Sequence, residues 1–269
     1  MKKYISKLKK RIAQNKKTFI IYSILRMLVI LTGIRCILTH NYESLFFCIL
    51  SLILFLVPSF FEEKLKVNIP PLFQISIYTF IYAAEILGEV NKYYTAIPGW
   101  DTMLHTINGF LCAALGLSLI DIMNRGSKKL QLTPLYMSFM AFCFSMTIGV
   151  CWEFFEFSGD YFFHMDMQKD FIVQEISTVT LDPENSQKDF HIKDIDYTTI
   201  HTEDGEEYVV EGGYLDIGII DTMKDLFVNF IGAIIFSVVG YIYEKSAHTK
   251  TMTEHLLITC QDEKVIKDI

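Results

Sequence analysis

The chain has 269 residues, 51% of them hydrophobic and 20% charged, with a net charge of −7 and a mean hydropathy of +0.31. That balance is too apolar for a disordered chain, and its acidity argues against a nucleic-acid partner. Six cysteines with no C-x-x-C pair read as apolar fillers, excluding a disulfide framework or a zinc knuckle.

The leader, residues 1–17, carries Lys2, Lys3, Lys7, Lys9, Lys10, Arg11, Lys16 and Lys17 and no acid, which places the N-terminus in the cytoplasm by the positive-inside rule. The first apolar run has Arg26 in it and no small-residue cleavage pattern before His40, so it reads as a retained membrane helix. Runs near 20 residues follow at 18–38, 44–61, 71–88, 100–122, 135–157 and 217–243, predicting about six membrane spans. The predicted organisation is a leader at 1–17, five membrane helices within 18–160, an acidic extracytoplasmic insert at 161–214, a sixth helix at 215–244 and a cytoplasmic tail at 245–269. The fold class is an all-α polytopic membrane protein with a small β-rich insert before its last helix.

Lysine and arginine placement fixes the orientation. Lys64, Lys66, Arg125, Lys128, Lys129, Lys245 and Lys250 fall on one side, and only Lys92, Lys169, Lys188 and Lys193 on the other, so both termini are expected inside a bacterial cell membrane. Arg26 and Arg35 lie on nearly opposite faces of the first span. Arg26 either pairs within the bundle or snorkels; Arg35 either snorkels to the outer interface, pairs with acids, or holds an anionic head group. The prolines Pro58, Pro70, Pro71, Pro98, Pro134 and Pro183 lie at span ends or in loops, so no proline-broken helix is predicted.

In this topology four groups of acids share the outer half of the membrane. Residues three or four apart share a helix face, and Tyr78, Tyr82, Glu85 and Glu89 repeat the offsets of Gly149, Glu153, Glu156 and Asp160. Asp101, His105 and Asn108 form a third stripe, and Asp221, Asp225, Asn229 and Gly232 a fourth. An unpaired charge in a bilayer costs at least about 2.5–3.5 kcal/mol, so these carboxylates need compensation. Hydrogen-bond networks or contact with water account for Glu89, Asp160 and Asp216 at the span ends. Asp101, His105, Glu153, Glu156, Asp221 and Asp225 are expected to surround one cavity that holds a divalent cation, with Glu85, Asn108, Asp160, Asn229 and Arg35 beside it. Carboxylates with one histidine suit zinc, manganese or iron; without the histidine, magnesium or calcium is favoured. Glu153 and Glu156 are the candidate general bases, and protonation is the rival route to neutrality.

The insert alternates in strand fashion at 171–176 and 195–200, then turns at Asp204-Gly205 into Tyr208-Val209-Val210, which predicts a hairpin. Fifteen acids against three lysines from Asp160 to Asp216 make it strongly negative. His164, His191 and His201 lack paired metal-ligand spacing and read as exposed loop histidines, with His164 one turn beyond Asp160.

Three blocks resemble the YjdF-type bacterial inner-membrane proteins, a family without an established activity: Trp100-Asp101-Thr102-Met103-Leu104-His105 with Gly109-Phe110, Trp152-Glu153-Phe154-Phe155-Glu156, and Asp221-Thr222-Met223-Lys224-Asp225 leading to Asn229 and Gly232. The same blocks are more loosely similar to the VanZ-like membrane proteins, named for an accessory factor in teicoplanin resistance. The resemblance implies a cell-envelope protein that acts on or senses outer-leaflet molecules. Three function classes stay open: a metal-dependent enzyme or binder of a lipid or lipid-linked substrate, a proton- or cation-coupled transporter, and a non-catalytic assembly or resistance factor. Serine-hydrolase, P-loop and zincin motifs are missing, and nothing in the sequence sets an oligomeric state.

Overall fold

The structure is a computed structural model that describes residues 16–126, 131–246 and 252–260; the leader before Lys16, and Lys128, Lys129 and Lys250, lie outside the described residues. Six helices are long and apolar enough to cross a membrane: Lys16–Leu38, Tyr42–Lys64, Pro71–Val90, Trp100–Arg125, Pro134–Phe163 and Ile219–Lys245. The chain forms two compact units, one of residues 1–149 with 227–269 and one of residues 150–226.

In the first unit α1 (Lys16–Leu38) leads to α2 (Tyr42–Leu54), whose first turn is capped by the Asn41 side chain accepting the Ser44 amide at 3.0 Å. The second span is not continuous. It resumes as α3 (Val57–Lys64), with Pro58 in its first turn. Proline donates no amide hydrogen bond and its ring crowds the carbonyl four residues back, so the turn tightens instead, with the Leu56 amide on the Ile53 carbonyl at 2.9 Å. This corrects the expectation of unbroken spans.

Strand β1 (Val67–Asn68) and α4 (Pro71–Ile81) follow, and α4 runs on as a π-helix over Tyr82–Val90. Each residue of a π-helix turns through a smaller angle than in an α-helix. The stripe Tyr78, Tyr82, Glu85, Glu89 drawn on α-helical steps is therefore corrected: Glu85 is buried with Ala84 and Ile86, while Glu89 is half-buried. The connection before α4 is closed by Glu62, buried, whose Oε1 accepts the Ile69 amide at 3.1 Å and the Gln74 side chain at 2.9 Å.

A short helix α5 (Tyr93–Ala96) precedes α6 (Trp100–Gly126), and the unit is completed by parts of α7 (Pro134–Phe163) and α8 (Ile219–Lys245). Small residues let α6 and α8 meet backbone to backbone. A Cβ on Gly232 would overlap the Thr106 carbonyl oxygen, and one on Gly109 the Asn229 carbonyl oxygen. The third helix is held by the Ser145 hydroxyl donating to the Gly109 carbonyl at 2.7 Å and by Gly149, where a Cβ would stand 2.6 Å from Asn229 Nδ2. Beyond α8, the segment from Met252 returns to this unit. Its strand β8 (Thr259–Cys260) pairs antiparallel with β1, Leu256, Leu257 and Ile258 are buried, and the Ile258 amide donates to the Ser118 hydroxyl at 2.9 Å.

The second unit contains the end of α7, the insert and the start of α8. The strands are β2 (Ile172–Val173), β3 (Ile176–Thr178), β4 (Phe190–Ile192), β5 (Tyr197–His201), β6 (Glu207–Glu211) and β7 (Tyr214–Leu215), paired β2 with β7, β3 with β4 and β5 with β6. The hairpin predicted around Asp204-Gly205 is present, with Thr199 opposite Val209 and Gly205 at φ 88°. Residues 167–171 form an irregular strap, tied by carboxylates. Asp160 accepts the Met167 and Gln168 amides at 2.6 and 2.8 Å, Asp221 the Lys169 amide at 2.8 Å, and Asp216 the Phe171 and Ile220 amides at 2.6 and 2.8 Å. Burial alone would raise the pKa of Asp216, but the amides of Phe171, Ile220 and Gly218 outweigh it and hold the carboxyl below its usual range.

Two outcomes follow from this packing. Gly232→Ala should lower the apparent Tm in detergent by several degrees, because the new methyl meets a carbonyl that cannot move aside and overpacking costs about 1–3 kcal/mol. Gly240→Ala overlaps the movable end of the Leu117 side chain and otherwise makes ordinary contact with Phe236, so it should change little. For Asp216, a depressed folded-state value means that its stabilisation is complete above the unfolded carboxylate range and is lost as pH falls through the folded value. Thermal denaturation between pH 7 and 3 should show a steeper acid loss in the wild type than in Asp216→Asn, which is already less stable at pH 7.

Candidate functional site

Among the candidate residues of the first unit, Asp101 occupies the first turn of α6, where the positive end of the helix dipole favours a carboxylate. One turn on, His105 is 8% exposed, and its Nε2 lies 3.4 Å from Asp101 Oδ1. A carboxylate at that distance orients the imidazole. Asn108 Nδ2 donates to Asn229 Oδ1 at 3.2 Å, and Asn229 in turn reaches Met146 Sδ at 3.6 Å. These two asparagines lie on the Gly109, Gly149 and Gly232 contact, so they knit helices together. Glu85 is buried on the π-helix, and Arg35 is exposed in the last turn of α1, with no ion pair among the described residues.

In the second unit, Glu153 and Asp225 are 5% and 2% exposed, inside helices apolar enough to cross a membrane. Glu156, half-buried one turn after Trp152, accepts its indole N–H at 2.8 Å. Asp160 and Asp221 are occupied with the strap amides, and Asp221 Oδ1 also lies 3.9 Å from Lys224 Nζ. Two carboxylates from the predicted set therefore organise backbone in the second unit.

The strap itself is what the sequence reading missed. A run of amides pointing at aspartates has no hydrophobic period and no fixed spacing, so only Asp160 and Asp216, noted as acids at span ends, hinted at it. Gln168, which bonds the Thr222 hydroxyl, was not foreseen at all. The histidines of the insert are exposed as read, but the loop placement is corrected for two of them, His191 lying on β4 and His201 at the end of β5. His191 and His201 are exposed, 3.2 Å from Glu175 and 3.1 Å from Glu207, while His164 ends α7 in the left-handed conformation at φ 53° and is exposed.

The buried side chains thus include carboxylates and an imidazole, groups able to hold a metal ion or to exchange a proton. Buried serines and asparagines elsewhere in the spans have neither capacity.

Comparison with known proteins agrees with the membrane reading. Neither the curated proteins nor the solved structures contain a match, and no match carries the looser VanZ-like similarity. The family described as "Predicted membrane protein (DUF2238)" matches residues 19–246, nearly all of the six spans and the insert, in keeping with the YjdF-type resemblance. The chain belongs to that family of multi-pass membrane proteins.

Proposed function

We propose that the protein binds a divalent cation in the outer half of a bacterial cell membrane, and that the bound ion recruits a phosphate or carbonyl of a lipid or lipid-linked envelope substrate. Burial carries this reading. His105, Glu153 and Asp225 are each at most 8% exposed on helices apolar enough to span a bilayer, where several carboxylates demand a compensating positive charge. Helix phase supports the same set: His105 stands four residues before Gly109, Glu153 four after Gly149, and Asp225 four before Asn229.

The donors we assign are Asp101, His105, Glu153, Glu156 and Asp225. Asp221 and Asp160 are assigned instead to the strap whose amides they accept. One imidazole among carboxylates fits zinc or manganese best, with magnesium the alternative if His105 stays out of the shell. The ion would supply Lewis acidity, and Glu153 or Glu156 would take a proton from an attacking hydroxyl or water. Acids at the other end of the spans serve structure: Asp121 is held by Arg125 at 2.8 Å, and Glu62 closes the connection before α4. That distribution favours a one-sided site over a proton path across the membrane.

Metal content tests the reading. Wild-type protein purified in detergent should carry close to one equivalent of metal and gain thermal stability with added zinc or manganese, by about 2.7 kcal/mol at a hundredfold excess over Kd. Glu153→Gln and Asp225→Asn remove charge with almost no volume, so each should cut metal affinity at least tenfold while the protein stays folded. Absence of stoichiometric metal, together with no thermal response to zinc, manganese, magnesium or calcium, would move the assignment to shared protons and a proton-coupled or structural role.

Orientation has its own check. A cysteine at Ser186, on the exposed Asp182 turn of the insert, should react with a membrane-impermeant maleimide in intact cells above the wild-type background. Labelling only after permeabilisation would place the insert in the cytoplasm and overturn the outer-leaflet assignment.

A further inference from the structure

The hairpin of β5 and β6 is a ribbon of two strands, and among the described residues β6 pairs with β5 alone. Its ladder fixes which backbone groups lie outside. The Thr202 amide donates to the Glu206 carbonyl at 3.0 Å and the Gly212 amide to the Asp196 carbonyl at 2.7 Å. In an antiparallel ladder the pairs that exchange bonds alternate with pairs that do not, so Ile200 with Tyr208 and Thr198 with Val210 bond inward. The N–H and C=O groups of Glu207, Val209 and Glu211 therefore point away from β5, along the open side of β6.

An open edge of this kind is a template for a further strand. Solvent reaches it, since Glu207, Val209 and Glu211 are all exposed, Val209 at 53%. Successive side chains alternate across a strand, so these three share one face of the ribbon with Tyr197, Thr199 and His201. Along β6 that face is acid, apolar, acid. Glu207 lies 3.1 Å from His201 across the ladder, and Tyr197, opposite Glu211, is exposed.

Charge decides what can add to the edge. Two copies of β6 meeting antiparallel about Val209 would set Glu207 of each against Glu211 of the other, and like charges directly opposite destabilise a ladder. A second copy of this chain is therefore disfavoured. From Asp194 to Glu211 there are seven acids and no lysine or arginine, so the ribbon repels an anionic strand and attracts a cationic one. The matching segment has basic, apolar and basic side chains at alternate positions, the basic ones opposite Glu207 and Glu211 and the apolar one opposite Val209.

We propose that the open edge of β6 is a docking site for a lysine- or arginine-rich extended segment of another polypeptide, which joins the ribbon as an antiparallel third strand. Backbone hydrogen bonds to Glu207, Val209 and Glu211 supply affinity, and the alternate side chains supply selectivity. The site belongs to the insert alone and does not depend on the cation site.

Fluorescence anisotropy of the full-length protein in detergent tests this with a short labelled peptide centred on Lys-Thr-Val-Thr-Lys. At physiological ionic strength the Debye length is about 8 Å, so charges elsewhere on the insert count for little beside the cross-strand pairs. N-methylation of the Lys and Val amides, which would face β6, should weaken binding at least tenfold, whereas N-methylation of the two Thr amides on the far edge should change it less than twofold. Glu207→Gln with Glu211→Gln should weaken the unmodified peptide at least fivefold. Glu184→Gln with Glu203→Gln removes the same charge from exposed turns and should leave binding nearly unchanged. No binding of the unmodified peptide, or equal loss from methylation of either edge, would overturn the third strand, and this comparison uses the wild type, so it holds even where a variant misfolds. Equal loss in the two double variants would mean general attraction to an acidic surface and overturn the edge as the site.

Discussion

Close approach of the α6 and α8 backbones is the constraint on which the first unit depends. In a bilayer, helices gain nothing by hiding apolar side chains from one another, since lipid tails are equally apolar; they associate where small residues allow many close contacts. Gly109 and Gly232 provide this in reciprocal fashion, each facing a carbonyl of the other helix, and Gly149 with Ser145 brings in α7. Asn108 and Asn229 bond across the same contact, so the polar groups there are satisfied without water. The positions of His105 along α6 and of Ser237 along α8 are then set by helix periodicity from one well-defined level.

Several of the carboxylates build structure. Glu62, Asp121, Asp160, Asp216 and Asp221 each accept from an amide, an amide side chain or a guanidinium, and removing an acceptor from a buried donor costs the desolvation of that donor. Glu153 and Asp225 are buried side chains on membrane helices, and His105 is the one buried imidazole among the described residues. An acid-rich stripe is therefore a poor guide to chemistry until each acid's donors have been identified.

Irregular geometry accompanies the polar groups in the first unit. The π-helix at 82–90 buries Glu85 among apolar neighbours, and Pro58 breaks the second span near the turn that Glu62 closes. The segment from Met252 shows the same economy at the chain's other end, where Leu256, Leu257 and Ile258 complete a core that the helices leave open and Ser118 receives a backbone amide. A two-residue strand pairing holds it to β1.

Long-range apolar periodicity made the six spans legible in the sequence, because a membrane helix must cover its own backbone with about 20 apolar residues and has no cheaper way to do so. The hairpin at Asp204-Gly205 was equally legible, since its turn demands a residue at positive φ and strands alternate on either side. The acids of the candidate site were also visible as residues, from their cost in hydrocarbon. The role of Asp160, Asp216 and Asp221 as strap anchors was not, because it rests on amides of 167–171 that reach aspartates up to 52 residues away in the chain. The π-helix, the break at Pro58 and the return of the segment from Met252 were hidden for a related reason. Each is decided by tertiary packing against neighbours, where side-chain contacts outweigh the local preference of a few residues for a regular helix or a free end.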